Sequence, residues 1–225
     1  MQFDGHINMY IIDRTLRFTR GFLLSYGPTP IKKLFWDQEF SSGKWNFIDD
    51  TAGDCVYSHL ERFATDRSIL DLGCGPGNTA NELAPAYRTY VGMDISKEAL
   101  AKARRRSEQN GRADKNSFEQ GDFLSYVPSQ KFDVILFREA MYHVPLGKVK
   151  DTLDRFSKYL TDDGVFIVRL GVKENGKTKY RPSAMICIME KDFDVVEKRD
   201  YEDSGATVIV FRPKSQSSAV VPKVV

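Results

Sequence analysis

Residues Ile69-Leu70-Asp71-Leu72-Gly73-Cys74-Gly75-Pro76-Gly77 decide the fold of this 225-residue chain. A short apolar run ends in three alternate glycines, and a helical pattern follows from Pro76, whose fixed φ suits the first turn of a helix. Glycines at such a turn let a ligand approach the backbone closely, and a helix N-terminus offers it free N–H groups. The stretch therefore predicts a strand, a ligand-binding turn and a helix that runs to about residue 86.

From Arg67 onward, short β-branched runs alternate with longer helical patterns. The predicted strands are 68–72, 89–93, 116–120, 132–137, 165–168, 194–197 and 206–211. Helices are predicted over 96–111, with Ser96 as N-cap and Gly111 as the stop, and over 146–160 and 180–190. This alternation indicates an α/β fold: a doubly wound, mostly parallel seven-stranded sheet with an antiparallel last strand, paired with its predecessor at the sheet edge.

The first 66 residues do not share this rhythm. Helical patterns cover 7–25, 31–40 and 54–63, and Gly27-Pro28-Thr29-Pro30 breaks the first two apart. Two interpretations stay open, namely helices that pack over the sheet and a lid that covers a ligand. We therefore predict an N-terminal helical leader or cap over 1–66, a core domain over 67–213 and a flexible tail over 214–225.

Composition excludes several classes of protein. The chain has 33 Lys+Arg against 31 Asp+Glu, so its net charge of +2 gives no reason to expect a nucleic acid partner. Its three cysteines are odd in number and scattered, which predicts neither a disulfide framework nor a metal site, and fits a reducing cytoplasm. No stretch approaches the ~18 apolar residues of a membrane helix. We expect a cytoplasmic monomer or homodimer that does not bind membranes.

An acidic residue follows the second predicted strand. Asp94 lies 94 − 73 = 21 residues after Gly73, where a carboxylate can hold a ribose diol. A nicotinamide fingerprint needs a third glycine three residues after the second, and Asn78 stands there instead. A nicotinamide-dependent oxidoreductase is therefore the less favoured hypothesis.

The glycine turn resembles motif I of the class I S-adenosylmethionine-dependent methyltransferases, an acidic residue followed by Gly-x-Gly-x-Gly, as in 71–77. The resemblance continues in order through 91–96, 121–123, 132–137 and 160–165, and covers about residues 67–212. It implies a Rossmann-like fold that binds S-adenosylmethionine and transfers its methyl group, by in-line displacement, to an oxygen or nitrogen of a small molecule. A cofactor-binding regulatory or partner subunit without turnover remains the alternative.

The resemblance also implies where the cofactor binds. Gly73 and Gly75 would lie against its amino acid part, and Asp71 would face its ammonium group, directly or through water. The remaining assignments are Asp94 for the ribose hydroxyls, Asp122 for the exocyclic amine of adenine, Ile95 with Phe123 for the two faces of the ring, and Cys74 and Asn78 as further residues of the turn. Carboxylates suit hydroxyl and amine donors, whereas the alternative for Ile95 and Phe123 is ordinary core packing.

The acceptor side is predicted at the end of the fourth strand. Of three histidines, only His143 follows a strand end that faces the expected crevice, so we predict that it deprotonates or orients the acceptor, with Tyr142 as a wall or hydrogen-bond partner. The alternative is a histidine that only caps or packs. Arg138 is predicted to bind an anionic group of substrate or cofactor, or else to form a structural ion pair.

In the leader, residues 36–47 bring together both tryptophans and a glycine. Aromatic side chains beside a flexible glycine suit a cap over a bound molecule, so we predict that Lys44, Trp45 and Phe47 border the site, with Lys44 and Trp45 on the cofactor. Core packing is the equal alternative.

Overall fold

The structure is a computed structural model that describes residues 23–24, 27–43, 45, 51–171 and 181–214. Its helices are α1 (Thr29–Ser41), α2 (Val56–Ala64), α3 (Asn78–Glu82), α4 (Lys97–Gln109), α5 (Val149–Ser157) and α6 (Pro182–Asp192). Its strands are β1 (Ser68–Leu72), β2 (Thr89–Asp94), β3 (Asn116–Gln120), β4 (Phe132–Arg138), β5 (Leu160–Gly171), β6 (Phe193–Tyr201) and β7 (Ala206–Pro213). Two short 3₁₀ turns, Met141–His143 and Leu146–Lys148, connect β4 to α5.

All seven strands form one sheet in the order β3-β2-β1-β4-β5-β7-β6. Strands β1 to β5 pair in parallel, and β7 runs antiparallel to both β5 and β6. The predicted fold class is confirmed, including the antiparallel pair at the edge. The chain leaves β1 toward β2 on one side and returns to β4 on the other, so a crevice opens at the carboxyl ends of these strands, where α/β proteins bind ligands.

Two apolar layers cover the faces of the sheet. Leu70 and Leu72 of β1 face the layer that contains Leu153 and Phe156 of α5, whereas Ile69 faces the layer that contains Leu60 of α2. Successive side chains of a strand point to opposite faces, which explains why both faces of this buried strand are apolar. Because α2 belongs to the same core as β1, part of the predicted leader packs on the sheet. The proposed boundary after residue 66 stays a prediction.

Most predicted elements are present within one to three residues of their predicted bounds. Ala99 N donates to Ser96 Oγ at 3.2 Å, and α4 ends two residues before Gly111, whose φ is 65°, so both predicted ends of this helix are confirmed. Strand β5 is longer than predicted because it pairs with both β4 and β7. Most of the predicted helix 7–25 and the tail beyond residue 214 lie outside the described residues.

The prediction that Pro76 opens the first core helix is wrong. Gly73, Gly75 and Gly77 all have positive φ, at 82°, 55° and 77°, so the turn continues through Pro76 and α3 begins only at Asn78. Glycine adopts this left-handed region without steric cost, which lets the loop stay tightly folded over the end of β1.

Within the described part of the chain, no helix combines the length and the hydropathy needed to cross a membrane.

Replacing Gly77 by Ala tests how closely α4 packs on the glycine turn. A Cβ at Gly77 would lie 2.7 Å from Ala103 Cβ and 3.0 Å from its Cα, so strain and overpacking add, and we expect a loss of about 2–5 kcal/mol in unfolding free energy. Gly111→Ala is the matched control, because Gly111 also has positive φ but has no atom within 4 Å of the added Cβ; it should cost only about 1–2 kcal/mol. Equal losses for both variants in urea unfolding would contradict the packing argument.

Candidate functional site: a covered cavity at the carboxyl edge of the sheet

A cavity of about 430 Å³ lies between the carboxyl ends of the parallel strands and helix α1. This volume is within the range of sites for small ligands. The predicted site residues that line it are Trp45, Gly73, Cys74, Gly75, Asn78, Asp94, Ile95, Asp122, Phe123, Arg138 and His143. Asp71 and Tyr142 are not among its described lining residues, and Lys44 and Phe47 lie outside the described residues.

The glycine turn forms one wall of the cavity. Gly73 N donates to Met93 O at 2.7 Å, which fixes the turn to the end of β2. A Cβ at Gly75 would meet only the Phe40 ring, at 3.9 Å, so a side chain there would project into the space that a ligand needs. The side chain of Cys74 packs among buried apolar residues. Gly75 is buried from bulk solvent but lines the cavity, so its backbone is a part of the turn that a ligand in the cavity can contact.

The carboxylate of Asp94 is buried beside this turn. Its Oδ2 accepts from Gly75 N and its Oδ1 from Ser96 N, both at 2.9 Å. Burial raises the pKa of Asp94 to about 6, against the opposing effect of these amide donors. Each carboxylate oxygen has further lone pairs, so Asp94 can also accept from hydroxyl groups of a ligand.

Asp71 lies behind the turn and retains an unused acceptor. Tyr90 Oη donates to its Oδ2 at 2.5 Å, whereas its buried Oδ1 has no hydrogen-bond partner among the described residues. Burial raises the pKa of Asp71 to about 6, although the Tyr90 hydrogen bond opposes the shift. A buried acceptor without a donor calls for a ligand group or a water molecule. This geometry suits a positively charged nitrogen that reaches the site directly or through water.

Asp122, at the end of β3, is held by helix α1. Its Oδ2 accepts from Thr29 Oγ1 at 3.1 Å and forms a buried ion pair with the ammonium group of Lys32, and its Oδ1 accepts from Leu124 N at 3.0 Å. Three donors therefore already engage the carboxylate that we predict for the amine of adenine, and this role stays a prediction. Ile95 and Phe123 line the cavity nearby, as the predicted contacts with the two faces of the adenine ring require.

Three aromatic side chains, Trp36, Phe40 and Trp45, form an aromatic wall on the α1 side of the cavity. Their ring centroids lie 5.7 to 6.4 Å apart, and Trp36 meets the His143 ring edge-on at 5.1 Å. The prediction singled out Trp45 but missed Trp36 and Phe40, although both stand at helical spacing in the same segment. Helix α1 covers the cavity, and the lid function of this part of the leader stays a prediction.

His143 ends the 3₁₀ turn after β4 and lines the cavity. Burial, and to a lesser degree the charge of Lys32, lowers its pKa to about 4, so the imidazole is neutral at neutral pH. A neutral imidazole has one nitrogen that can accept a proton. Tyr142 Oη instead donates to Gly171 O at 2.8 Å, at the end of β5. His143 therefore faces the cavity, whereas the hydroxyl group of Tyr142 is directed to the end of β5.

Arg138 forms a structural ion pair, the alternative predicted for it, with a partner, Asp54, that the sequence did not identify. Its Nε and Nη2 donate to Asp54 Oδ2 at 3.2 and 2.8 Å. Arg169, one residue past the predicted end of β5, lies 3.4 Å from Asp54 Oδ1 and also pairs with Glu139. Glu139 has a positive φ of 54°, a strained conformation that is often found at functional sites. A charge within the otherwise apolar run 165–170 was the signal for Arg169, whereas nothing local indicated Asp54.

No group of three or more His, Cys, Asp or Glu in the described ranges is arranged to hold a metal ion.

Asp71→Asn tests the buried charge behind the turn. The folded-state pKa of about 6 exceeds the unfolded value near 3.8, so the charged form destabilises the fold above pH 6. We expect the variant to unfold at higher urea concentration at pH 7.5, with a gain of up to about 3 kcal/mol that shrinks as the pH falls through 6 toward 4.

Asp133→Asn is the control of opposite sign. Burial would raise the pKa of Asp133, but hydrogen bonds from Ser68 and Thr161 and the charge of Arg88 outweigh it and lower the pKa. Its loss should destabilise the protein at pH 7.5, and the deficit should disappear only as the pH falls below 4. A gain of Asp71→Asn that did not change with pH would contradict the assignment.

Comparison with known proteins agrees with this geometry. Residues 64–201 match a family model described as a methyltransferase domain. A ubiquinone biosynthesis O-methyltransferase of Actinobacillus pleuropneumoniae is 36% identical over 85 residues, which are 35% of this chain and 36% of that protein. A sterol 24-C-methyltransferase of Gibberella zeae is 31% identical over 100 residues, which are 44% of this chain and 26% of that protein. The matched parts thus span about a third or less of these relatives.

Among solved structures, the N-methyltransferase NodS from Bradyrhizobium japonicum, in complex with S-adenosyl-L-homocysteine, superposes with a TM-score of 0.63. The match covers 79% of this chain and 98% of NodS at 17% identity, so it concerns the fold. The family model spans the glycine turn, Asp94, Asp122 and the end of β4, the same residues that carry the resemblance in the sequence. The chain therefore belongs to the methyltransferase domain family, as its sequence predicted.

Proposed function

We propose that this protein transfers a methyl group from S-adenosylmethionine to an oxygen or nitrogen atom of a small molecule. The observation that carries the proposal is the combination of the Gly75 backbone and the buried Asp94 carboxylate in the cavity wall with the unpartnered Oδ1 of Asp71 behind the turn. Together they suit a ligand that bears hydroxyl groups and a positively charged nitrogen. The cofactor has both.

The residues present fit this cofactor. Asp94 would accept from the ribose hydroxyls, the Gly73–Gly75 backbone would lie against the amino acid part, and Asp71 would balance its ammonium group. Ile95 and Phe123 would contact the faces of the adenine ring. The bound cofactor would supply a methyl group on a sulfonium: a lone pair of the acceptor would bond to the methyl carbon while the C–S bond breaks and the sulfur leaves as a neutral thioether. The residues of this chain then have to hold the acceptor in line and keep water out, which accounts for much of the acceleration in such reactions.

His143 is the residue best placed to handle the acceptor proton. It lines the cavity at the end of β4 and is neutral at neutral pH, so its basic nitrogen does not first have to lose a proton. A pKa of about 4 makes it a weak base, and its main contribution would be to orient an O–H or N–H group by a hydrogen bond. Helix α1, fixed to Asp122 by Lys32 and Thr29, would exclude water from above.

The names of the relatives do not select the acceptor atom, because they describe C-, O- and N-methyltransferases in turn. We favour oxygen or nitrogen because a histidine beside the cavity can receive a hydrogen bond from either.

Cofactor binding is tested by calorimetric titration with S-adenosylhomocysteine and, as the comparison ligand, NAD. The wild type should bind the former and not the latter. Asp94→Asn removes the charge and one acceptor, so we expect its affinity to fall by at least about tenfold, since a hydrogen bond to a charged group contributes roughly 1.5–3 kcal/mol. Asp154→Asn, in an exposed ion pair on α5, should bind like the wild type. Preference for NAD would overturn the proposal.

His143→Ala tests the acceptor side. With an acceptor found by screening for formation of S-adenosylhomocysteine, we expect turnover to fall by about 10²-fold, because the acceptor loses its orientation, while cofactor affinity stays within a factor of about three. The pH profile of the wild type should show no loss of activity from protonation of His143 until the pH approaches 4. Normal turnover of the variant would show that His143 only packs against Trp36.

A further inference from the structure

The aromatic wall lies on the α1 side of the cavity and includes Trp45, which the sequence predicted on the cofactor and which this inference assigns to the acceptor instead. Trp36 and Trp45 are half-buried, and Phe40 is buried between them and the glycine turn. Trp45 Nε1 donates to Glu39 Oε2 at 3.0 Å, so the orientation of this ring is fixed. Because Trp36 also meets the ring of His143, the wall continues up to the residue proposed to contact the acceptor. A flat molecule lying on the wall would have its edge beside His143.

The charged side chains that line the cavity favour an uncharged ligand. Its described cations are each matched by a carboxylate: Lys32 pairs with Asp122, Arg138 with Asp54, and Arg169 with Glu139 and Asp54. An anionic acceptor would have to compete with one of these carboxylates, and breaking a buried ion pair leaves an uncompensated charge. An uncharged acceptor disturbs none of the three pairs.

We propose that the acceptor is an uncharged, flat aromatic molecule, such as a phenol, whose ring packs against Trp36 and Trp45 and whose hydroxyl group lies beside His143. The inference rests on the proposed function and adds the class of acceptor to it. Aromatic rings attract one another beyond the effect of buried area alone, so a planar ring is preferred to a saturated ring of the same size. The preference corresponds to about a two- to tenfold difference in affinity.

Both tryptophans of the chain belong to the aromatic wall, so intrinsic tryptophan fluorescence reports on this surface without labelling. The wild type, saturated with S-adenosylhomocysteine, is titrated with two matched pairs of probes. The first pair, 4-methylphenol and 4-methylcyclohexanol, differs in planarity; the second, 4-methylbenzamide and 4-methylbenzoate, differs in charge. Affinities are measured by calorimetry and location by fluorescence quenching.

We expect 4-methylphenol to bind several-fold more tightly than 4-methylcyclohexanol and to quench the fluorescence saturably. The benzamide should bind more tightly than the benzoate. Trp45→Leu should abolish the preference for the planar ring, and Trp45→Phe should restore most of it, while both keep their affinity for S-adenosylhomocysteine. Leu34→Ala, on the outer face of α1 where the side chain is 69% exposed, is the control and should behave like the wild type.

Three results would overturn the inference: equal affinity for the planar and the saturated ring, tighter binding of the benzoate, or loss of S-adenosylhomocysteine binding in Trp45→Leu, which would assign the wall to the cofactor. Failure of the proposed function gives a different result, because the wild type would then not bind S-adenosylhomocysteine at all. The probe titrations without it would in that case still decide whether the wall binds planar, uncharged molecules.

Discussion

The carboxylate of Asp94 connects two turns at the carboxyl edge of the sheet. By accepting from Gly75 N and Ser96 N, it ties the glycine turn after β1 to the start of the helix after β2. This arrangement needs a parallel pair of strands, since only then do both turns lie at the same edge of the sheet. Glycines with positive φ bring the backbone within reach of Asp94. The position of the cavity and its polar wall follow from this interaction.

Helix α1 is also held at the carboxyl edge of the sheet. Asp37 Oδ1 accepts from Ser96 Oγ at 2.8 Å, next to Asp94, and Lys32 pairs with Asp122 at the end of β3. One helix is thus fixed at two strand ends by charged or polar contacts, while its aromatic side chains face the cavity between them. A buried ion pair contributes little net stability, but breaking it leaves an uncompensated charge. The Lys32–Asp122 pair therefore opposes any displacement of α1 from the end of β3.

The buried carboxylates and the cations around the cavity differ in whether an opposite charge neutralises them. Asp94 lines the cavity and Asp71 lies behind the glycine turn, and both remain buried with raised pKa values, which costs folding free energy. The cations near the end of β4 are, in contrast, neutralised by carboxylates, two of them by Asp54 from the segment before α2. Under the proposed function, one side of the cavity would bind the positively charged, hydroxyl-bearing cofactor and the other side an uncharged acceptor. Such a division suits an enzyme that binds two different substrates side by side.

The sequence by itself determined the sheet, the glycine turn, the positions of Asp94 and Asp122 at strand ends, and the family. The strands and the turn depend on periodicity and turn chemistry within about ten residues, where local sterics decide the conformation, whereas the family follows from the resemblance of ordered motifs over residues 67–212. Local reasoning failed at Pro76, because three glycines prolonged the turn beyond the residue that usually opens a helix. Only the tertiary structure decided that Lys32 pairs with Asp122, 90 residues away, and Asp54 with Arg138, 84 residues away. Contacts at such separations depend on how the leader packs against the sheet edge, which no local pattern records.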